Sequence, residues 1–443
     1  MPGYTVDGRE YLQAAIEQGA SALLVEESGF DASDDYQVPL ILVPNLSRKI
    51  GLLAHEFFNQ PSAEMQIFGV TGTNGKTTCC YLLAQSFAAM GLKSAIMGTL
   101  GYGVIGELKP ASHTTPDAIA VHRRLAELRD QGVTQVCMEV SSHALDQGRV
   151  AGVEFYATLF TNLSQDHLDY HGDMATYAAA KSLLFTSFQS ELSIINADDE
   201  LGLRLIDDVD ADFVTSYGQD ADVQAHEVSA RADGLALHIE AGAVDFEVST
   251  SLIGLVNVPN LLLLCATLLS LSVSVEEIQS VLQGLKPAPG RMELLTQAGR
   301  PQVVVDYAHT PDALEKALIS VSEHCSGALW CVFGCGGDRD QGKRPQMGGI
   351  ASRLADHVII TNDNPRSEDP AVIAEQIRAG ATEKEAIVVL DRATAIAQAI
   401  GQADENDWIL IAGKGHEATQ TIGSDVLPFS DQAHARLALE VAA

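Results

Sequence analysis

The feature that most constrains the fold is a regular alternation of short apolar runs with segments of helical periodicity. The apolar runs are rich in β-branched residues and have the length of strands. They are Met65–Val70, Gln135–Val140, Phe155–Phe160, Leu192–Ile195, Val303–Asp306, Leu329–Phe333, His357–Thr361, Ala386–Leu390 and Trp408–Ala412. Strands that alternate with helices form parallel sheets, so the pattern predicts an α/β fold.

Most of these apolar runs end in a polar or glycine-rich cluster. The clusters read GTNGKTT, MEVSSH, TNLSQDHLDYHG, NADD, VDYAHTPD, GCGGDRD, TNDNPR and GKGHE. Ligands of open α/β sheets bind beyond the carboxyl ends of the strands. We therefore expect the clusters to converge on one ligand-binding crevice.

Proline and glycine punctuation divides the chain. Pro287-Ala-Pro-Gly290 follows a long helical segment that opens near Asn260, and a weaker boundary falls at Gln60-Pro61-Ser62. Residues 206–250 alternate in a strand pattern and are predicted to form a β-rich excursion. The predicted domains are residues 1–62, 63–287 and 288–443.

Charge and hydropathy exclude several classes of partner. The formal net charge is -32, and a general negative field repels nucleic acids and acidic membranes. The most apolar stretch, Leu261–Val273, is too short to cross a bilayer, and the first residues lack a signal-peptide pattern. These features favour a cytoplasmic location.

The cysteines predict neither a disulfide framework nor a zinc site. There are seven, an odd number, and they lack paired CxxC spacing. Cys331 and Cys335 flank a strand-like segment and are interpreted as packing residues rather than metal ligands.

A phosphate-binding loop follows the Met65–Val70 run. Gly69, Gly72 and Gly75 precede Lys76 and Thr77, and a helix-like segment follows. Small residues let backbone N–H groups face phosphate oxygens, the lysine supplies a cation, and the threonine hydroxyl can reach Mg²⁺. A plain glycine turn before a helix is the alternative interpretation.

A magnesium site is predicted beside this loop. Glu139 ends the next strong strand, near Ser141 and His143, while Asp166 and His167 follow another strand. Hydroxyls, carboxylates and imidazoles without thiolates favour Mg²⁺ over zinc. A lone glutamate at a strand end is more often a solvated carboxylate, but these neighbouring groups favour metal binding at Glu139.

Basic residues are few, yet they gather at the motifs. Judged by its spacing alone, Lys181 is predicted to be a solvated lysine on the face of a helix. The cations within or near motifs are Lys76, Arg149, Arg291, Arg339, Lys343, Arg344, Arg366 and Lys414. In so acidic a chain, this placement indicates binding of phosphates and carboxylates. The chemistry most consistent with these motifs is phosphoryl transfer from ATP to a carboxylate, followed by attack of an amine.

The ordered motifs resemble the Mur ligases, and within them the MurE branch. They are GVTGTNGKTT, HTTPD at His113–Asp117, MEVSSHAL, FTNLSQDHLDYHG, NADD, PGRME, VDYAHTPDAL, VFGCGGDRDQGKRP, DNPR and GKGHE. The resemblance covers essentially the whole chain. It implies a partial N-terminal α/β domain that binds a UDP substrate, a central P-loop ATPase domain with a parallel sheet, and a C-terminal Rossmann-like domain.

The resemblance also implies an activity. ATP would phosphorylate the D-glutamyl γ-carboxylate of UDP-N-acetylmuramoyl-L-alanyl-D-glutamate, and the amine of meso-diaminopimelate would attack the acyl phosphate. ADP and phosphate would be released, in peptidoglycan precursor synthesis. Members of the family usually act as monomers.

Site residues carry over position by position. The implied catalytic residues are Lys76, Glu139, His167 and Lys181. The implied ATP-binding residues are Gly72, Thr73, Asn74, Gly75, Lys76, Thr77, Thr78, Asn257, Asn260, Arg291 and Asp306. The implied Mg²⁺ ligands are Thr77, Glu139, His167 and Lys181, the last as a carbamate formed with carbon dioxide.

Two substrate sites are implied as well. The muramoyl-peptide contacts are Thr114, Thr115, Ser141, Gln147 and Arg149. The diaminopimelate pocket comprises Arg339, Asp363, Asn364, Pro365, Arg366, Gly413 and Glu417. Arg366 suits the distal carboxylate, whereas Asp363 and Glu417 suit the distal ammonium. A lysine-adding relative has no distal carboxylate for such an arginine.

The chain departs from the family pattern at several places. Relatives begin with a further segment before Gly3, so the chain is expected to lack part of the uridine-binding domain. His113, Gln165 and Val256 replace residues frequent in relatives. The alternatives are a lysine-adding or other Mur ligase, a folylpolyglutamate-type ligase, or a nucleotide-binding protein without turnover.

Overall fold

The computed structural model describes residues 6–31, 36–111, 113–209, 211 and 213–441. These residues form two compact units. The first comprises residues up to 76 with 91–195 and 199–214, and the second comprises 77–90, 196–198 and 215 onwards. Residues 1–5 and 32–35 of the predicted N-terminal domain lie outside the described residues. The predicted domain boundaries remain predictions.

The first unit begins with a small α/β segment. Its elements are a 3₁₀ turn (Gly8–Tyr11), α1 (Leu12–Glu17), β1 (Leu23–Glu26), β2 (Leu40–Val43), α2 (Leu46–Phe57) and a second 3₁₀ turn (Pro61–Glu64). β1 and β2 pair in parallel. The Glu26 carboxylate accepts the backbone N–H groups of Asn45 and Leu46 at 3.0 and 2.7 Å. A carboxylate at these N–H groups stabilises the start of α2.

A larger parallel sheet forms the body of the first unit. Its strands are β3 (Gln66–Thr71), β4 (Ser94–Gly98), β5 (Gly101–Gly103), β6 (Gln135–Glu139), β7 (Ala157–Phe160) and β8 (Leu192–Asn196). They lie in the order β8-β7-β3-β6-β4-β5, and only the β4–β5 pair is antiparallel among them. The central strands are buried on both faces, as continuous apolar runs in a parallel sheet must be.

Helices follow these strands in the chain. They are α3 (Lys76–Ala89), α4 (Ala118–Asp130), α5 (Ser142–Asp146), α6 (Leu168–His171), α7 (Met174–Thr186) and α8 (Glu200–Asp208). Several begin at a side-chain cap: the Asp117 carboxylate accepts the N–H of Ala120, and that of Asp173 accepts the N–H of Thr176.

The β-rich excursion predicted for residues 206–250 is confirmed except at its start. Helix α8 continues to Asp208, and the strands are β9 (Phe213–Tyr217), β10 (Val223–Arg231), β11 (Gly234–Ala241) and β12 (Val244–Thr250). β10, β11 and β12 form an antiparallel meander. Helices α9 (Val258–Ser270) and α10 (Val275–Gly284) follow, and Pro259 occupies the first turn of α9, where its missing N–H costs nothing.

A second parallel sheet forms the C-terminal part of the second unit. Its strands are β13 (Glu293–Leu295), β14 (Gln302–Asp306), β15 (Leu329–Phe333), β16 (His357–Ile360), β17 (Ala386–Val388) and β18 (Trp408–Ala412). The order is β13-β14-β18-β15-β16-β17, and β13 alone pairs antiparallel in this sheet. A hairpin of β19 (Thr419–Ile422) and β20 (Asp425–Pro428) follows.

Helices cover both faces of this sheet. They are α11 (Pro311–Ser322), α12 (Lys343–Leu354), α13 (Pro370–Arg378), α14 (Arg392–Gln402) and α15 (Asp431–Val441). One face packs against α11, α12 and α13, and the other packs against α14 and α15. Cys331 and Cys335 are buried in the first of these apolar cores. The predicted α/β class, with parallel sheets, is confirmed.

Helices long and apolar enough to span a bilayer do not occur in the part of the chain that the structure describes.

Candidate active site

The phosphate-loop motif forms the tight turn between β3 and α3. Gly72 and Gly75 have φ angles of 147° and 88°, in the region that favours glycine. A Cβ atom at Gly72 would collide with the hydroxyl of Thr161, which itself donates 2.6 Å to the Asn74 carbonyl. The Lys76 ammonium donates to the Gly72 and Thr73 carbonyls, each at 2.8 Å, so the loop wraps around its cation.

Lys181 lies on α7 and is buried against this loop, so it is not the solvated lysine that its spacing predicts. Its side chain is 1% exposed, and Nζ donates 2.6 Å to the Gly72 carbonyl, which also accepts Lys76. The Tyr177 ring lies 4.5 Å from Nζ. Burial, and secondarily the charge of Lys76, hold the Lys181 pKa well below its ordinary value. The site of Lys181 therefore disfavours the charged ammonium form.

Glu139 lies buried at the carboxyl end of β6, with 2% exposure. Its carboxylate accepts the backbone N–H of Thr99 at 2.7 Å and the Thr99 hydroxyl at 3.2 Å. The Thr99 hydroxyl lies 3.0 Å from that of Thr114. Sequence reasoning missed Thr99, although its position directly after β4 matches that of the other strand-end clusters.

His167 lies in a cluster of rings formed with His143, Tyr170, His171 and Tyr177. Burial is the main reason that the pKa of His167 is lowered, and burial together with the neighbouring imidazoles lowers the pKa of His143 to about 4. Neutral imidazoles are the form that binds metal ions.

The described residues contain no group of three His, Cys, Asp or Glu side chains arranged to hold a metal ion by themselves. Mg²⁺ commonly takes one or two protein oxygens and completes its shell with water and phosphate oxygens. Glu139 and the Thr77 hydroxyl are such donors, whereas a zinc site would need more protein ligands.

The predicted muramoyl-peptide contacts form one network in the first unit. Arg149 donates to the Gln147 side chain at 2.8 Å and to the Thr115 carbonyl at 2.9 Å. The Thr115 hydroxyl donates 2.8 Å to the Glu139 carbonyl and accepts the N–H of Ser141 at 3.1 Å. The structure therefore brings together Thr115, Gln147, Arg149 and Ser141, with Thr114 joined to Glu139 through Thr99.

The second unit contains the predicted ATP-binding residues Asn257, Asn260, Arg291 and Asp306. Asn260 donates to the Asn257 side chain at 3.0 Å and accepts the Cys79 thiol at 3.3 Å. The Arg291 guanidinium lies 4.4 Å from the Tyr307 ring and 3.4 Å from the Thr77 hydroxyl. Its buried Nε has no protein partner among the described residues, so its N–H can donate to a ligand oxygen.

Asp306 ends β14 beside Arg291. Its carboxylate accepts the N–H groups of Met292 and Ala308, both at 2.8 Å. Burial raises the pKa of Asp306, although Arg291 and these N–H groups oppose the rise. Asp306 therefore anchors the backbone next to Arg291.

The predicted amino-acid pocket is assembled from two loops of the C-terminal sheet. Asn364 donates 2.8 Å to Glu417, and the fully buried Lys414 donates to both, at 3.2 and 2.9 Å. A Cβ atom at Gly413 would lie 2.7 Å from the Asp363 carboxylate. Sequence reasoning named Lys414 only as a cation near a motif, whereas the structure shows that it joins the two loops.

Arg366 and Arg339 both approach Gly336, in the glycine-rich loop that follows β15. A Cβ atom at Gly336 would lie 2.9 Å from Arg366 Nη1 and 3.8 Å from Arg339 Cγ. Arg366 has a left-handed φ of 50°, and its Nη1 donates 2.8 Å to the Gly337 carbonyl. A non-glycine residue in this region is a local strain of the kind found at binding sites.

Replacing Lys181 by Met should stabilise the protein at neutral pH without metal or carbon dioxide. The folded state binds fewer protons than the unfolded state between the lowered pKa of Lys181 and its ordinary value of 10.5, so stability rises with pH through that window. We expect the Tm of K181M to exceed that of the wild type near neutral pH by roughly 2–4 °C. A difference of about 1 kcal/mol in the free energy of unfolding produces a shift of this size.

The check is thermal unfolding of both proteins from about pH 7 to pH 10, across the window where a lysine with a lowered pKa titrates. The difference in Tm should shrink as the pH rises. A difference that does not vary with pH would mean that Lys181 keeps an ordinary pKa.

The chain is similar to known proteins over nearly its whole length. The Mur ligase middle domain matches residues 70–268, and the Mur ligase glutamate ligase domain matches residues 290–415. The UDP-N-acetylmuramoyl-L-alanyl-D-glutamate–2,6-diaminopimelate ligase of Coxiella burnetii is 46% identical over 451 residues, which cover 99% of this chain and 91% of that protein.

Solved structures extend the likeness to the fold. A UDP-N-acetylmuramoyl-L-alanyl-D-glutamate–2,6-diaminopimelate ligase is 34% identical with a TM-score of 0.71, over 98% of this chain and 89% of the other. The MurF ligase of Thermotoga maritima in complex with ADP is 17% identical with a TM-score of 0.69, over 100% and 94%. At that lower identity, the likeness concerns the fold alone. Domain matches, whole-length identity and fold agree, and the chain belongs to the Mur ligase family.

Proposed function

We propose that the chain is an ATP-dependent ligase that adds meso-diaminopimelate to UDP-N-acetylmuramoyl-L-alanyl-D-glutamate in peptidoglycan precursor synthesis. The observation that carries the proposal is the amino-acid pocket. Arg366 offers a planar cation beside Gly336, while Asp363 and Glu417 offer carboxylates on the two neighbouring loops. The relative that is 46% identical bears the name of this activity.

The phosphate loop would hold ATP together with Mg²⁺. Lys76 and the loop N–H groups would bind the phosphates, Asn257, Asn260 and Asp306 would lie on the nucleoside side, and Arg291 would approach with its unpartnered Nε. Thr77 and Glu139 would hold one Mg²⁺, and His167 with modified Lys181 a second. Mg²⁺ supplies neutralisation of the phosphate charge that grows during transfer.

Lys181 is proposed to react with carbon dioxide. Its neutral amine would attack the carbon, a nitrogen–carbon bond would form as one carbon–oxygen π bond breaks onto oxygen, and one proton would leave. The buried amine would thereby become an anionic carbamate with oxygen donors. The lowered pKa of Lys181 keeps the amine reactive. A carbamate signal after incubation with ¹³C-bicarbonate, absent from K181M, is the expected result in NMR spectra.

The reaction would then proceed in two steps. An oxygen of the D-glutamyl γ-carboxylate attacks the γ-phosphorus, and ADP leaves with the electrons of the broken bond. The neutral amine of diaminopimelate attacks the acyl carbon and loses one proton, and phosphate leaves from the tetrahedral intermediate with the electrons of the broken carbon–oxygen bond. The protein would contribute positioning through Arg149 and its network, and charge stabilisation through Lys76.

The pocket chemistry explains the choice of amino acid. The guanidinium of Arg366 can bind a distal carboxylate with two parallel hydrogen bonds. L-lysine has no such carboxylate, so it would leave the guanidinium without a partner. Asp363 and Glu417, the latter held ionised because the influence of Lys414 and Asn364 on its pKa outweighs burial, suit the distal ammonium.

The test is phosphate release from ATP with Mg²⁺ and UDP-N-acetylmuramoyl-L-alanyl-D-glutamate, with either meso-diaminopimelate or L-lysine at equal concentration. We expect kcat/KM with diaminopimelate to exceed that with lysine by about 100-fold or more, as for a site that loses a buried charge pair. Preference for lysine would refute the assignment of the pocket.

We also propose that the enzyme works as a monomer in the cytoplasm. All seven cysteines are free thiols, six of them buried, which suits a reducing compartment. Light scattering coupled to gel filtration should give the mass of a single chain, 47.1 kDa. A dimer mass would refute the monomer.

A further inference from the structure

A buried ion pair lies beneath the amino-acid pocket. Arg392, the first residue of α14, and Asp431, the first residue of α15, are both without solvent exposure at their side chains. The guanidinium and the carboxylate meet through two bonds, from Nε at 2.7 Å and from Nη2 at 2.8 Å. Neither residue belongs to the substrate contacts derived above.

Stability alone is a weak reason for such a pair. Removing two ions from water is costly, and well-packed apolar residues in the same place are often as stable or more so. We therefore expect this buried pair to have a role other than stability.

The remaining hydrogen bonds of Arg392 point to that role. Nη1 donates 3.2 Å to the Asn362 carbonyl, and Nη2 donates 2.9 Å to the Ala412 carbonyl. Asn362 directly precedes Asp363, and Ala412 directly precedes Gly413. One planar group therefore holds the first peptide of each of the two loops that form the pocket.

The sheet topology shows why this link matters. β16 and β18, which lead into the two loops, are not neighbours, because β15 lies between them. Two strands separated by a third lie roughly 10 Å apart and share no backbone hydrogen bonds. The ladder therefore does not set the distance between the loops directly, whereas Arg392 bonds both at once.

We propose that Arg392, held in place by Asp431, is a positioning residue that sets the spacing between the Asp363 loop and the Gly413–Glu417 loop for the incoming amino acid. The inference rests on the proposed function of this pocket. Through Asp431, the C-terminal helix α15 becomes part of the support of the pocket.

The charge of Arg392 agrees with this placement. Burial alone would lower its pKa, but Asp431 and, to a lesser degree, Asp363 and Glu417 raise it above the ordinary value. The guanidinium therefore stays charged and attracts the carboxylates of Asp363 and Glu417.

The test compares Arg392→Met, Arg392→Lys and the double variant Arg392→Met/Asp431→Leu with the wild type, in steady-state kinetics at temperatures below each Tm. We expect R392M to raise the KM for meso-diaminopimelate about tenfold or more, since misplacing a pocket by about 1 Å costs on that order or above. The KM for ATP should stay within about twofold, because the nucleotide contacts are made by other loops.

The conservative and double variants separate positioning from stability. R392K keeps the charge but not the fork of donors, so its KM should lie between those of the wild type and R392M. The double variant removes both ions and should recover Tm relative to R392M while its KM for diaminopimelate remains high. Recovery of KM together with Tm would show a purely structural pair and overturn the proposal, as would a wild-type KM in R392M.

Leu439→Ala is the matched control. Leu439 is buried in the same helix as Asp431, eight residues further on, and makes no contact with the pocket loops through hydrogen bonds. This variant should lose Tm and keep the KM for diaminopimelate.

The experiment distinguishes a wrong substrate assignment from a wrong role of Arg392. If the wild type turns over another amino acid instead of diaminopimelate, the substrate is wrong, and the KM of the amino acid that it does use tests Arg392. The dissociation constant of the amino acid, measured by calorimetry with ADP present, tests the pair independently of turnover.

Discussion

Lys76→Met should abolish ATP-dependent turnover, with kcat reduced by about 10³-fold or more, because the variant loses the cation of the phosphate loop. In the structure the Lys76 ammonium is held by the Gly72 and Thr73 carbonyls, so its position is set before ATP arrives. Phosphoryl transfer has little covalent chemistry for a protein to perform, and positioned charge therefore supplies most of the acceleration. Methionine keeps the unbranched shape and most of the length of the side chain, but it removes the charge and the hydrogen bonds to the Gly72 and Thr73 carbonyls.

The measurement is phosphate release under saturating substrates, with nucleotide binding followed by calorimetry. Lys93→Met is the matched control, since Lys93 is an exposed lysine whose Nζ donates to the Gln131 carbonyl. It should retain wild-type kcat. A K76M enzyme that keeps more than about a tenth of the wild-type kcat would contradict the role of Lys76, because loss of one preorganised donor alone costs more.

Arg366→Ala should reduce kcat/KM for meso-diaminopimelate by roughly 10²- to 10³-fold, the effect of truncating one member of a largely desolvated charge pair. The backbone of Arg366 is fixed as well as its side chain: its N–H donates to the Thr421 carbonyl, and its carbonyl accepts the N–H of Gly423. Lysine has no distal carboxylate, so turnover with L-lysine should change little. The preference for diaminopimelate should therefore shrink.

The comparison uses both amino acids with the wild type, R366A and R366K. A compact ammonium cannot reproduce the planar fork, so R366K should recover only part of the loss. The control is Arg353→Ala, an exposed arginine of α12 that pairs with Glu315 at the surface and should leave both rates unchanged. An equal loss with both amino acids would mean that Arg366 supports the loop and does not select the substrate.

Local patterns in the sequence are sufficient for much of the fold. Each of the strands predicted from an apolar run is present, from β3 to β18, with ends that differ by at most a few residues. The reason is physical: a strand buried on both faces needs a continuous apolar run, and such runs are legible without the rest of the chain. The short strands β1, β2, β4, β5, β13, β19 and β20 were not predicted. Each has only three to five residues, although β1 and β2 are mostly apolar.

The convergence of the motifs could also be predicted, because parallel strands place their carboxyl ends at one edge of a sheet. The contacts between side chains from distant parts of the sequence could not be predicted. Glu139 gives no sign that Thr99 will hold its carboxylate, and the helical spacing of Lys181 favours a solvated lysine, whereas it is buried against Gly72. Resemblance to the Mur ligases identified both positions, but not what they contact.

What the sequence determined by itself is the order of strands and helices, the phosphate-binding loop and the membership of the family, since all three are written in short contiguous segments. Only the tertiary structure decided which charges become buried and which loops share a partner. Burial depends on what packs from distant parts of the chain, as when Arg392 meets Asp431 and two strand ends that lie apart in the sequence. The pKa of Lys181 and the spacing of the amino-acid pocket follow from such contacts, and no local pattern contains them.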